Sequence, residues 1–240
     1  VENSPGKPIV YNSGASYVLS ALVQRLADGA SVSEYLAPRL FEPLGITGPL
    51  WGKSSEGVSL GDGGLSLRTE DLAKFGLLYL QGGVWNGAQV LPADWVSAAS
   101  SKQVSNGNDE SNWNSGYGYQ FWRNQFGGFR ADGSLGQFTF VLPEEDLVLV
   151  VTSGTEDLTG IMSVVAQILL PALEPNPLPA NAAGETALKD RLAALALPAP
   201  PGSADSPQAA DVSGRRYAIP QNSQGIQSVQ LDFGGPFPVL

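Results

Sequence analysis

LGDGGLSLRTEDLAKFGLLYLQGGVWNGAQVLPADW, residues 60–95, sets a capped helix, a glycine stop and a tryptophan-bearing turn in fixed order. Thr69 stands where an N-cap is needed, and Glu70 and Asp71 put negative charge beside the free N–H groups of the first turn, where the helix dipole favours it. Leu72, Phe75, Leu78 and Tyr79 recur at helical spacing, and Gly82 with Gly83 ends the run. The spacing predicts a buried amphipathic helix over 70–81.

Upstream, Val18, Leu19, Leu22, Val23 and Leu26 share one helical face and Gly29 supplies a stop, so a second amphipathic helix spans 14–28, directly after Tyr11-Asn12-Ser13. Ser31 to Glu34 is a capping-box pattern that opens a short helix through Leu40, closed by Phe41-Glu-Pro-Leu-Gly-Ile46. Downstream, a polar loop over 105–116 leads to Tyr117, Tyr119 and Phe121, which alternate as a half-buried strand would, and Phe138, Phe140 and Leu142 alternate likewise. Pro143 to Asp146 then reads as a turn into Leu147–Val151, a continuous apolar run expected to be buried on both faces. Strands at 117–122, 137–142 and 147–152 are expected as antiparallel neighbours, with a helix over 156–170, capped by Thr155 and ended by Pro171, on one face.

Beyond that helix the composition changes. Residues 173–211 read as a Pro/Ala-rich linker holding a short helix at 185–197 on Leu188, Leu192, Leu195 and Leu197. Residues 212–240 read as the start of a small β accessory domain: one strand on Val229, Leu231 and Phe233, a Gly234-Gly235 turn, and no complete partner strand.

With 42% hydrophobic and 15% charged residues, the 240-residue chain has the composition of an ordinary folded protein. It contains no histidine and no cysteine, which removes Ser-His-Asp triads, Cys-His pairs, Cys/His zinc sites and thiol redox chemistry from its own repertoire. Any catalytic base must be tyrosine, lysine or a carboxylate. The net charge of −10 and the scattered Lys and Arg oppose a nucleic-acid partner, and no apolar run reaches the length of a membrane span. No cofactor or metal is expected: Asn106, Asn108, Asp109 and Glu110 lack the ligand order of a calcium loop. Glu144, Glu145 and Asp146 fall in a turn, where they solubilise the chain instead of facing one another across a glycosidase cleft.

Four phrases resemble, in order, the serine beta-lactamase and penicillin-recognising enzyme superfamily, in its class C, esterase-like and 6-aminohexanoate-oligomer hydrolase branch. They are YNSGASYVL from Tyr11, FEPLGI from Phe41, GGLSLRTEDLAKFGLLYLQGGVWNG from Gly63 and FTFVLPEEDLVLV from Phe138. The resemblance covers residues 8 to about 170. It implies the second part of an α/β fold of the α+β type: a beta-lactamase/transpeptidase-like antiparallel sheet flanked by helices, incomplete, filling 1–172 and followed by the linker and the C-terminal β fragment.

By that resemblance Tyr11 is the general acid or base of a Tyr-x-Ser motif and Ser13 a polar partner of the nucleophilic centre. A tyrosine with the ordinary pKa of about 10 needs a nearby ammonium to serve as a base at neutral pH. Ala131-Asp132-Gly133 would occupy the family's third motif, with Asp132 and Gly133 at the substrate and the Ser134 N–H as oxyanion donor. Asp132 stands where the family carries Lys or His. An acid there does not attract the carboxylate of a penicillin or a D-Ala-D-Ala terminus, so the reading moves towards hydrolysis of a small ester or amide through an acyl-enzyme.

The family's nucleophile belongs to a helix-opening Ser-x-x-Lys. The one such string, Ser4-Pro5-Gly6-Lys7, is unsuited to a helix because of Gly6 and Pro8. The serine, its lysine and the first sheet strands are therefore expected upstream of residue 1. On this reading the chain alone is inactive, and an exposed apolar edge associates with the missing N-terminal portion or with another chain. The alternative is a non-catalytic or truncated binding module of the same fold. The resemblance admits a periplasmic or secreted bacterial protein as readily as a cytoplasmic one.

Overall fold

The computed structural model describes residues 9–107, 111–176, 178–196, 206–222 and 225–233. Two compact units divide the chain, Val1–Pro175 and Asn176–Leu240. In the first, α1 (Ser13–Leu26) precedes α2 (Val32–Leu36), which runs on as a π-helical turn over Ala37–Phe41. A small ladder of β1 (Leu50–Trp51) and β2 (Leu65–Ser66) follows, then α3 (Thr69–Leu80), a hairpin of β3 (Val84–Trp85) and β4 (Ala88–Gln89), and α4 (Ala93–Ser100). Strands β5 (Trp122–Arg123), β6 (Phe129–Gly133), β7 (Gln137–Leu142) and β8 (Leu147–Val151) form one antiparallel sheet in chain order, after which come α5 (Leu158–Val164) and a π-helical turn over Val165–Leu169.

Helix α3 lies on one face of this sheet because Gly76 lets it: a Cβ added there would stand 2.7 Å from Val148 and 2.9 Å from Thr139. Leu78 then reaches a core with Phe41, Leu44 and Ile46, while Tyr79 packs with Val96, Phe121, Phe129 and Val141. Thr69 is not the cap. Arg68 occupies that position without a side-chain bond, and the Thr69 hydroxyl instead pairs with Thr152, 3.2 Å away just past β8. Asp71, almost fully buried, accepts from Arg68 Nε at 3.2 Å and Lys74 Nζ at 2.8 Å, and these bonds hold its carboxyl below the ordinary range. The glycine stop is as expected: Gly82 and Gly83 take positive φ, and the Gly83 N–H bonds back to the Leu78 carbonyl at 2.8 Å.

On the sheet's other face Phe138, Phe140 and Leu142 pack against Met162 and Val165. Thr139 and Val141 point the opposite way, under α3, and are buried too, so β7 and not β8 is the strand covered on both sides. β8 is half-exposed throughout because it is the sheet's edge. The strand expected at 117–122 shrinks to β5: Gln120 has a positive φ and the Gly118 N–H bonds to the Phe121 carbonyl at 2.8 Å, making a turn there. β6 therefore lies between β5 and β7: β7 and β8 are antiparallel neighbours as expected, but β5 is not a neighbour of β7 and runs in the same direction as it, each being antiparallel to β6. α5 is capped by Asp157, which accepts from the Gly160 N–H at 2.8 Å, and Thr155 accepts from the Asp157 N–H instead.

α1 forms where expected, capped by Asn12, but turns its apolar stripe outwards. Val18, Leu19, Leu22 and Leu26 are exposed, and the helix is held by small polar residues instead. Ser20 is buried, Tyr17 donates to Ser54 at 3.0 Å, and a Cβ on Gly61 would stand 2.2 Å from the Ser16 carbonyl oxygen.

The second unit contains α6 (Ala182–Ala193), α7 (Ala209–Val212) and an antiparallel pair of β9 (Arg216–Ala218) with β10 (Ser228–Gln230). The strand at Val229 thus has a partner, contributed by the segment before it. α6 starts earlier than expected because Asn181 caps it, and its Leu188 and Leu192 are exposed. Leu197 and Gly234-Gly235 lie outside the described residues, as do Ser4 to Lys7 and Asn108 to Glu110.

Candidate active site

Tyr11 sits at the lip of α1, immediately before the capping Asn12, whose side chain accepts the Ala15 N–H at 3.2 Å. Its ring is 62% exposed and stacks on Trp122 of β5, with centroids 5.8 Å apart and planes at 22°. Tyr11, Trp122, Tyr117, Ala131 and Asp132 line a cleft of about 350 Å³, together with Trp51 and the loop at Gly61, Asp62 and Gly63. Residues more than a hundred positions apart are thereby brought to one concavity.

Ser13 is not part of that wall. It is the first residue of α1, so the extended alternation that would align it with Tyr11 has already ended, and Ser16, one turn on, lines the cleft. Gly133 pairs with Gln137 at the end of the β6–β7 hairpin, and Ser134 is exposed in its turn. That turn is held by Gln137, donating to the Ser153 carbonyl at 2.6 Å, and by the Ser153 hydroxyl, donating to Leu135 and Gly136 carbonyls. Of the residues assigned to the third motif, Ala131 and Asp132 line the cleft, whereas Gly133 and Ser134 do not.

Beneath the cleft lies a group that sequence reasoning missed. Arg130 is wholly buried and makes four hydrogen bonds: Nε to Asp132 at 3.0 Å, Nη1 to the Arg123 carbonyl and the Asn124 side chain, and Nη2 to the Asn112 carbonyl. Its guanidinium also lies 4.9 Å from the Trp113 ring centroid and 5.8 Å from that of Trp122. Burying a cation costs several kcal/mol unless each donor is met, and here the bonds and ring faces supply that compensation. The signal was present in the sequence: Arg130 and Asp132 are two apart on a strand, so opposite charges share a face.

Burial pushes the Asp132 carboxyl up, with the Arg130 charge and hydrogen bond opposing. Tyr117 is pushed up to about 12, by burial first and then by the proximity of Tyr11 and Asp132, so its hydroxyl remains protonated at neutral pH. Among the described residues no group of three Asp or Glu is placed to hold a metal ion, and no helix is long and apolar enough to cross a membrane. A larger groove of about 570 Å³ runs along β8 and α5, but its wall is apolar and its one carboxylate, Asp157, is spent as the α5 cap. The chemistry therefore concentrates at the Tyr11 cleft.

An antiparallel sheet with a helix on each face is the architecture of the beta-lactamase-like serine hydrolases. A beta-lactamase family profile matches residues 1–163, and the chain belongs to that family. Among solved structures it is similar to a protein of Bacillus anthracis assigned as a 6-aminohexanoate-dimer hydrolase, at 24% identity and a TM-score of 0.60, covering 72% of this chain and 47% of that one. A protein of Bacteroides dorei assigned as a beta-lactamase gives 17% identity and a TM-score of 0.52, over 65% of this chain and 54% of that one. A beta-lactamase of Mycobacterium bovis gives 23% and 0.52, over 69% and 66%. Identities this low establish the shared fold alone. The chain spans about half to two thirds of the length of these proteins. No curated protein matches it in sequence.

Proposed function

We propose that this chain carries the tyrosine-bearing part of a serine hydrolase that cleaves a small ester or amide through an acyl-enzyme. One observation carries the reading: Tyr11, exposed and stacked on Trp122, opens into the same cleft as Ala131 and Asp132 of β6. A general acid or base and the strand that receives the substrate must address one reacting carbonyl, and the shared cleft supports that reading. The choice of a small ester or amide rests on Asp132: the negative end of its pair with Arg130 lines the cleft and does not attract the carboxylate of a penicillin.

In this reading the attacking serine and its lysine are contributed by sequence outside these 240 residues, and Tyr11 moves the proton between the serine and the leaving group. A fluorophosphonate probe followed by intact-mass measurement tests it. The 240-residue chain alone is expected to take up no probe, and the chain joined to or complemented by a Ser-x-x-Lys portion to take up one equivalent. Tyr11→Phe in the complemented protein should slow labelling by roughly 10²- to 10⁴-fold, the usual worth of a positioned acid or base. An adduct on Ser13 or any other serine of the isolated chain would overturn the assignment of the nucleophile. No labelling after complementation would favour a binding module.

A further inference from the structure

Two arginines stand on the paired strands β5 and β6, and their guanidinium groups are satisfied to different degrees. Arg130 has an acid and three further acceptors around it. Arg123 has one acceptor: its Nη1 donates to the carbonyl of Ser100, the last residue of α4, at 2.8 Å. Among the described residues it makes no ion pair, and its Nε and Nη2 make no hydrogen bond, yet neither atom is sealed from solvent. Burial lowers the pKa of Arg123 with no neighbouring acid to oppose the shift, and a guanidinium nevertheless stays charged at neutral pH.

Arg123 lines a cleft of about 330 Å³ together with Ser100, Lys102, Phe129, Pro143 and Glu144, and none of its lining residues lines the Tyr11 cleft. Lys102 and Glu144 carry opposite charges and are both exposed, where water and salt screen them. Arg123 is half-buried, where screening is weaker, so the cleft is locally positive in a chain of net charge −10. The negative end of the α4 dipole is met by Nη1, which leaves the edge of the guanidinium formed by Nε and Nη2. Those two N–H groups lie side by side in one plane, and a carboxylate accepts from both at once. The cleft is suited to holding such a group and not to reacting with it, because the Ser100 and Ser101 hydroxyls donate to the Val96 and Ser97 carbonyls.

We infer that this cleft is a binding site for a small organic carboxylate, held through both oxygens by the Nε and Nη2 edge of Arg123 with its short chain lying in the cleft. The site is separate from the Tyr11 cleft, and the inference does not depend on the hydrolase reading.

Sodium butyrate is the probe, titrated at constant ionic strength into the isotope-labelled 240-residue chain and followed by NMR, beside its neutral isostere butyramide and sodium phosphate. The Nε–H resonance of Arg123, identified by its loss in Arg123→Lys, should move saturably with butyrate and stay in place with butyramide. Backbone amides around the cleft should report an affinity at least about tenfold weaker in Arg123→Lys, which keeps the charge and loses the planar fork. That variant is read beside its melting temperature, because Nη1 also holds the end of α4. Glu144→Gln, a change at an exposed residue, should tighten butyrate binding about twofold by removing a screened repulsion, and it keeps the test open if Arg123→Lys does not fold. No saturable shift, an equal response to butyramide, undiminished affinity in Arg123→Lys, no tightening in Glu144→Gln, or tighter binding of phosphate than of butyrate would overturn the inference.

Discussion

Helices α1 and α3 read alike in sequence and differ in what covers them. Each has a run of leucines at helical spacing and a glycine stop. In α3 that face meets a sheet and a second helical layer, so Leu78 is fully buried. In α1 the equivalent face, through Leu22 and Leu26, is open, and the helix is fastened by Ser16, Tyr17 and Ser20 on the other side. Periodicity reports that a helix has an apolar face, but the covering partner is a tertiary fact that the helix's own residues do not contain. The asymmetry also reaches function, because α1 carries Tyr11 at its lip and its polar seating on the Gly61 loop positions that lip beside the cleft.

Substitutions along the two helices test this contrast. The largest effect is expected from Leu78→Ala, which should lower the unfolding free energy by about 2–5 kcal/mol through lost burial and the cavity left behind, measured by urea denaturation. Gly76→Val should cost about 1–3 kcal/mol, because the added atoms meet Val148 and Thr139. Asp71→Asn should cost about 1–2 kcal/mol at neutral pH through its weakened bonds to Lys74 and Arg68. That cost has a defined pH dependence. The folded-state pKa of Asp71 is lowered, so its stabilisation is full above the ordinary carboxylate pKa near 4 and is lost as pH falls through the lower folded value. Melting curves of the wild type and the Asn variant should therefore converge in acid.

The smallest effect is expected from Leu22→Ala or Leu26→Ala, within about 0.5 kcal/mol, as for other exposed positions. A cost near that of Leu78→Ala would mean that the α1 stripe is covered in solution, and the contrast between the helices would dissolve.

How far the sequence was legible follows the same division. Elements whose signals are local came through well: the Ser31–Glu34 capping box, the Gly82-Gly83 stop and the β7–β8 hairpin are all in place. Features that depend on a neighbour did not. Tyr117 to Phe121 alternates as a strand does, but Gln120 adopts a positive φ and the segment turns. The apolar run at Leu147–Val151 reads as the most buried strand and proves to be the sheet's edge. At the candidate site, Tyr11 and Asp132 line one cleft, whereas Ser13, Gly133 and Ser134, read with them from the motifs, do not. Trp122 and Arg130, the residues that join them physically, carry no motif. The spacing of Arg130 from Asp132 is legible in the sequence, but its meeting with Trp122 arises when β5 and β6 pair and place the two backbones opposite one another.

Strand β8 bonds to β7 on one side alone, in register from Leu142 opposite Leu147 to Phe138 opposite Val151. Peptide groups along a strand point alternately to its two sides, so every second amide of β8 has its ladder partner and the others face outwards. Deuterium uptake followed amide by amide should therefore alternate between slow and fast along these five residues, whereas the central strand β7 is protected throughout. A polypeptide that pairs with the open side would abolish the alternation and leave the rest of the exchange map unchanged.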